Sequence, residues 1–391
     1  MASQEIQHAS FTIDCDFPGG NILLERISGD DIWLRQDLRN NGTDWFYWAF
    51  RIKHAAGRRL TFHFTGGDVL GVRGPSISSD GIHWRWLGTQ SVERPEGALP
   101  AFTHHFGDDE NELYIALCPL YTQQHLDRFL QHPNAAQWLQ VKQLCRSQSG
   151  REVELLQLGN PDADIEFICT ARHHACENTA SYCLEGVLEA ALTDDELGRW
   201  LRDNIHFTAV PFMDKDGVEA GDQGKNRRPY DHNRDYGGTA ADSIYPEVRA
   251  LREMMEKPSP ALKTRVLIDF HCPWIRDGIN ETVYFVGQPD ELMWQRTGHF
   301  SAVLQETRQG PMPYYATDNL PFGVGWNTTL NTNAVGACSC SKWAIGLPSM
   351  HLAVTLELPY ANANGVEVTP DNYRALGRDI ALALRQYLES L

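Results

Sequence analysis

The sequence contains no run of about 18 or more apolar residues, so nothing in it has the length and hydropathy of a membrane-crossing helix. Its opening, MASQEIQHASFTIDCD, has no basic start followed by an apolar stretch and lacks the pattern of a secretory leader. A protein of the cytoplasm with no membrane partner is expected. Internal repeats and low-complexity tracts are absent. The nine cysteines are odd in number and scattered, which argues against a disulfide framework in so large a chain. The close pairs Cys176/Cys183 and Cys338/Cys340 lack the C-x-x-C spacing of a structural zinc site, and most cysteines read as small buried hydrophobes. Positive charge is scarce, with 34 Lys and Arg against 51 Asp and Glu and a net charge of -17. Phosphate binding needs clustered cations, so nucleic acid is not an expected partner.

What remains is a globular composition, 42% apolar, spread over 391 residues. That length suggests two domains. Residues 1–118 read as β structure. Short apolar and aromatic runs at 31–34, 45–52, 60–64, 83–87 and 113–117 alternate with turn clusters such as Pro18-Gly19-Gly20 and Gly66-Gly67-Asp68. The stretch Leu60-Thr61-Phe62-His63-Phe64 has the period of a strand with one buried face. An all-β sandwich is the expected architecture. From residue 119 to 391 helical and strand patterns alternate, which predicts an α/β domain with a mixed, mostly buried sheet. Strands are expected at 153–158, 164–169, 265–270 and 352–358, and a helix at 178–192. A closing helix has Thr369 as its N-cap, Pro370 in its first turn and an apolar stripe of Tyr373, Leu376, Ile380, Ala383 and Tyr387.

Four local patterns carry chemistry. In Arg172-His173-His174-Ala175-Cys176-Glu177, between a predicted strand and a predicted helix, an imidazole and a carboxylate three residues apart can converge on one ion. A polar surface turn is the plainer reading. His271 ends the apolar run Val266-Leu267-Ile268-Asp269-Phe270, where a sheet presents functional groups; a core histidine bonded to backbone would look the same. Two histidines and one carboxylate leave a fourth zinc position open for water, whose pKa then falls to about 7. Gly224-Lys225-Asn226-Arg227-Arg228-Pro229-Tyr230-Asp231-His232-Asn233-Arg234 is the densest basic cluster in an acidic protein. It is either a solvated loop or a clamp on a substrate carboxylate. Glu357 interrupts the apolar run Val354-Thr355-Leu356 and must be paired or functional if that strand is buried.

Taken in order, these patterns resemble the zinc carboxypeptidase family typified by carboxypeptidase A, which runs H-x-x-E, D-x-N-R, strand-end His, strand Glu. Trp45-Phe46-Tyr47-Trp48 and Tyr121-Thr122-Gln123-Gln124-His125-Leu126 are similar to landmarks of its cytosolic carboxypeptidase-like subfamily, which places a β-sandwich before the catalytic domain. The resemblance implies a Zn2+ ion held by His174, Glu177 and His271, with Glu357 as general base. It implies Asn233 and Arg234 as holders of a peptide's C-terminal carboxylate and Arg227, or Arg228, as the group that polarises the scissile carbonyl. Asp231 would orient His174 from behind. The substrate would be the C-terminus of a peptide or protein. Three features depart from the family. Ala175-Cys176 stands where the subfamily has Pro-Gly. No tyrosine lies near Val335-Gly336-Ala337, where a mobile one is expected. After Gly336 no base appears before Lys342, which speaks against removal of terminal glutamates. The same motifs would serve a zinc-dependent deacylase of small N-acyl amino acids. A non-catalytic binding protein, with Trp33, Trp45, Trp48, Trp84 and Trp86 as an aromatic platform, is the third reading; at least three of these tryptophans are expected in the core.

Overall fold

The computed structural model describes residues 6–8, 11–257, 262–329 and 337–391. Val335 and Gly336, in the stretch where the family has a tyrosine and a base, lie outside them. In the N-terminal part, Leu60, Phe62 and Phe64 of strand Arg59–Phe64 are buried while Thr61 and His63 are half-buried, as the alternation predicts. Two sheets form. One is six-stranded and includes Phe11–Asp14, Ala49–Lys53 and Glu112–Ala116; the other is five-stranded and includes Asp31–Arg35, Arg59–Phe64 and Ala101–His105. Rings from the two sheets touch: Phe50 of the first lies 5.4 Å from Phe62 of the second. Asp31–Arg35 and Arg59–Phe64 pair in parallel, an exception in otherwise antiparallel sheets. Trp48 and Trp86 are buried, and Trp45 and Trp84 pack against the core from half-buried positions. Residues 45–48 lie outside any strand, since regular pairing begins at Ala49.

The larger sheet has seven strands: β1 (Leu139–Arg146), β2 (Glu152–Gly159), β3 (Ile165–Ala171), β4 (Ile205–Val210), β5 (Thr264–His271), β6 (Tyr284–Val286) and β7 (Met350–Glu357). Their order is β1-β2-β4-β3-β5-β7-β6. The four central strands are parallel, and the others pair antiparallel. Strands β3, β5 and β7 are almost wholly buried, as apolar runs without alternation require. Helix α1 (Asn178–Leu192) and the closing helix α2 (Pro370–Glu389) pack together on one face of this sheet. Thr369 caps α2 by accepting from the Asn372 N–H at 3.1 Å, and the five stripe residues are fully buried. All nine cysteines are free thiols, six of them buried.

The two helices can approach because glycines face each other. A Cβ on Gly186 would lie 2.1 Å from the Arg374 carbonyl oxygen, and one on Gly377 would lie 2.2 Å from that of Cys183. Backbone cannot yield as a side chain can. Gly186→Ala therefore destabilises the protein by about 2 kcal/mol, although alanine is the better helix former. Urea denaturation checks this; an unchanged midpoint would show that the helices separate without penalty.

Candidate functional site

Parallel strands deliver their ends to one edge of the sheet, where the site lies. His271 is the last residue of β5 and Glu357 the last of β7, and the register pairs them directly. His174 and Glu177 lie in the turn between β3 and α1, with Glu177 at the N-cap position. The turn is held open from beneath. Arg172 adopts a positive φ of 63° and is 1% exposed. Its guanidinium donates to the Ala175 carbonyl, between the two candidate ligands, and to the Tyr121 carbonyl.

The structure brings His174, Glu177 and His271 together, with candidate ligand atoms within 4.8 Å of one another and all three side chains buried. Glu177 Oε1 is 2.7 Å from His174 Nδ1, and its Oε2 is 2.9 Å from His271 Nδ1. The two Nδ1 atoms are 3.2 Å apart. Each imidazole turns its other nitrogen to a carboxylate. His174 Nε2 lies 3.5 Å from Asp231, and His271 Nε2 lies 2.7 Å from Asp269. His271 is hydrogen-bonded there, as ligating histidines are held by a partner that sets tautomer and ring angle, while His174 faces Asp231 without a hydrogen bond. A second grouping, His173, Asp269 and His271, also lies within metal-binding distance. There, however, Asp269 is taken up by His173 at 2.8 Å, His271 at 2.7 Å and the Thr170 hydroxyl at 2.8 Å, and Tyr236 closes the far side of His173. That grouping is a buried network behind the site, whereas His174 and His271 line a cleft.

The electrostatics favour a cation. Despite burial, His174 and His271 hold the Glu177 carboxyl well below the usual range. His173 and His271 do the same for Asp269. His271 in turn is raised well above the ordinary histidine value by Asp269 and Glu177, against the effect of its burial. Glu357 goes the other way. Burial, with the charge of Glu177 adding to it, pushes its carboxyl up to about 7. Its Oε2 is buried and has no hydrogen-bond partner. A carboxylate oxygen left unbonded at such a position is costly unless something absent from the protein itself satisfies it.

Across the cleft sits the basic loop. Arg234 and Asn233 line the cleft. Arg234 donates to the Asn233 carbonyl and makes no ion pair with a carboxylate among the described residues. The Asn233 amide is oriented by the Cys340 N–H, which its Oδ1 accepts at 2.9 Å. Asp231, whose other oxygen faces His174 Nε2 at 3.5 Å, also accepts the Asn226 N–H. The structure does not bring Arg227 or Arg228 to the cleft. Arg227 is buried between Asp214 at 2.7 Å and Asp222 at 2.8 Å. Arg228 is exposed and runs beside Gly42 of the N-terminal part. Two long-range carboxylates decide the fate of Arg227, and no local pattern announces them. Lys225, passed over in the sequence, lines the cleft instead. Asp269 was also missed, although its signal was present: positions 269 and 271 share one face of a strand.

No protein-family model matches the chain. Cytosolic carboxypeptidase 2 of Xenopus tropicalis is 26% identical over 274 residues, 62% of this chain and 28% of that protein. The chain thus spans less than a third of that relative's length. A metallo-carboxypeptidase from Burkholderia cenocepacia superposes with a TM-score of 0.74 at 21% identity, covering 97% of this chain and 99% of the other. A metallo-carboxypeptidase from Pseudomonas aeruginosa, in complex with (2-guanidinoethylmercapto)succinic acid, gives 0.72 at 20% identity, covering 96% and 99%. At these identities the structural likeness is one of fold. The chain has a carboxypeptidase-like α/β fold with a mixed sheet, and the resemblance to the zinc carboxypeptidases and their cytosolic branch holds.

Proposed function

We propose that this chain is a zinc-dependent metallocarboxypeptidase that removes the C-terminal residue of peptides or proteins. The observation that carries the reading is the unpartnered, buried Oε2 of Glu357 beside the converging trio of His174, Glu177 and His271. Two imidazoles and one carboxylate are a donor set suited to catalytic zinc. When bound, zinc acidifies water, to a pKa of about 7, and polarises a carbonyl. The chain's own groups do the rest. Arg234 forks onto the substrate's terminal carboxylate, with the Asn233 amide beside it, and this places the last peptide bond next to Glu357. Glu357 takes a proton from the attacking water as its oxygen bonds to the carbonyl carbon and the π pair moves onto the carbonyl oxygen. The C–N bond then breaks and Glu357 returns the proton to the leaving amine. One water is consumed, and a shortened peptide and a free amino acid are released. The succinic acid derivative bound by the Pseudomonas aeruginosa protein supports a cleft that accepts carboxylates.

In this reading residues 1–118 form a β-sandwich domain and residues 119–391 the catalytic domain, in a protein of the cytoplasm. The test is a panel of peptides varied at the last residue, their C-terminally amidated counterparts and N-acyl amino acids, assayed with zinc and with a chelator. Zinc-dependent release of the last residue from free-acid peptides, with amidated ones resistant, is expected. Hydrolysis of N-acyl amino acids alone would make the chain a deacylase, and no hydrolysis by the zinc-loaded protein would overturn the reading.

A further inference from the structure

Hydrolysis at this site, on the function proposed above, needs more than a base and a clamp. The carbonyl oxygen gains charge as water adds, and donors aimed at that charge are where such enzymes gain most. Both arginines expected to serve are occupied elsewhere or point away, Arg227 between Asp214 and Asp222 and Arg228 toward Gly42. We infer that Lys225 is the cation that stabilises the oxyanion in this chain.

Three observations carry this. First, Lys225 lines the same cleft as His174, His271 and Glu357, and its Nζ is 3.5 Å from His174 Nδ1. Second, it makes no ion pair with a carboxylate among the described residues. Its contact outside the trio is the ring of Trp45, 5.7 Å from Nζ to centroid, a cation–π neighbour that steadies the charge without neutralising it. An ammonium not paired with a carboxylate, lining the cleft with Glu357 and near Asp231, is held there by their summed field.

Third, its position is built. Gly224 has φ +73°, and a Cβ there would lie 2.1 Å from the Ala175 amide nitrogen. The loop therefore presses backbone to backbone against the turn that carries His174 and Glu177, and the next side chain emerges at the trio. Asp231 pins the same loop by accepting the Asn226 N–H at 2.9 Å. His174 Nδ1 cannot serve both an ammonium and a metal ion. With a metal held by His174, the four-carbon arm would leave that nitrogen, and the cleft, which Lys225 lines, would be the space open to it. As water adds, the ammonium donates a hydrogen bond to the oxygen that takes up the π pair; no proton is transferred, and the charge is relieved when the C–N bond breaks.

The experiment compares wild type, Lys225→Met and Lys225→Arg, all zinc-loaded. It measures kcat and KM on a peptide that wild type cleaves, zinc content by mass spectrometry, and the Kd of a phosphinic pseudopeptide whose tetrahedral anion mimics the oxyanion. Lys225→Met is expected to lose about 10²–10³ in kcat with little change in KM. It should weaken the phosphinic ligand by a comparable factor, retain full zinc and bind the released amino acid as wild type does. Lys225→Arg should recover most of both losses, which a merely structural lysine would not explain. Wild-type kcat and phosphinic affinity in Lys225→Met would overturn this inference and leave the proposed function standing. A wild type inactive on every peptide would overturn both.

Discussion

Glu357→Gln is expected to lower kcat by about 10²–10⁴-fold while the protein keeps its metal. The carboxylate sits at the end of β7 beside His271, with Oε2 unbonded, so it is free to take a proton from water. Glutamine has the same shape and no basicity. Zinc content by mass spectrometry and single-turnover rates check the two halves of the statement; a variant with full zinc and wild-type turnover would remove Glu357 from the mechanism. The pH dependence has a definite sign. Burial raises the Glu357 carboxyl from its ordinary 4.5 to about 7. A base must be ionised, so activity falls as pH drops through the folded value, and a bound cation moves that limb to lower pH. Stability of the metal-free protein runs the opposite way. A carboxyl raised on folding contributes stability that is complete below 4.5 and is lost as pH rises to about 7. Metal-free Glu357→Gln should therefore melt above wild type at pH 8 and lose that advantage at pH 4, as differential scanning calorimetry would show.

His174→Ala is expected to abolish zinc retention and, with it, hydrolysis. This variant separates the two buried groupings, because His271 belongs to both while His174 belongs only to the one that opens onto the cleft. If the metal sat at His173, Asp269 and His271, His174→Ala would keep it, and the assignment would fail. A graded companion is Asp269→Asn. It leaves all three ligands in place and removes the anion 2.7 Å from His271 Nε2. Affinity for zinc should drop about 10–100-fold, measured by competition with a chromophoric chelator.

The elements were legible because their signals are local. A strand that ends in His271, a strand that ends in Glu357, and a turn with His174 and Glu177 three residues apart can each be read from a few neighbours. The stripe on α2 could be read because helical period and burial agree along its length. The Gly186–Gly377 approach could not, because each glycine matters only through the helix it meets, almost 200 residues away. The basic loop shows the same limit at the site. Lys225, Arg227, Arg228 and Arg234 look interchangeable in sequence, since a cation's partner is chosen in space.

The sequence by itself determined the donor types, their order along the chain and their places at strand ends, because backbone periodicity and residue chemistry are written locally. Only the tertiary structure decided which cations of the basic loop face the cleft, Lys225 and Arg234. Asp214 and Asp222 bind Arg227 into the interior, and Gly224 lies flat on Ala175 so that Lys225 points at the trio. Only it could also show that His173 shares Asp269 with His271, since His173 meets that carboxylate from the end of a different strand; Asp231, expected from the resemblance to stand behind His174, lies 3.5 Å from its Nε2.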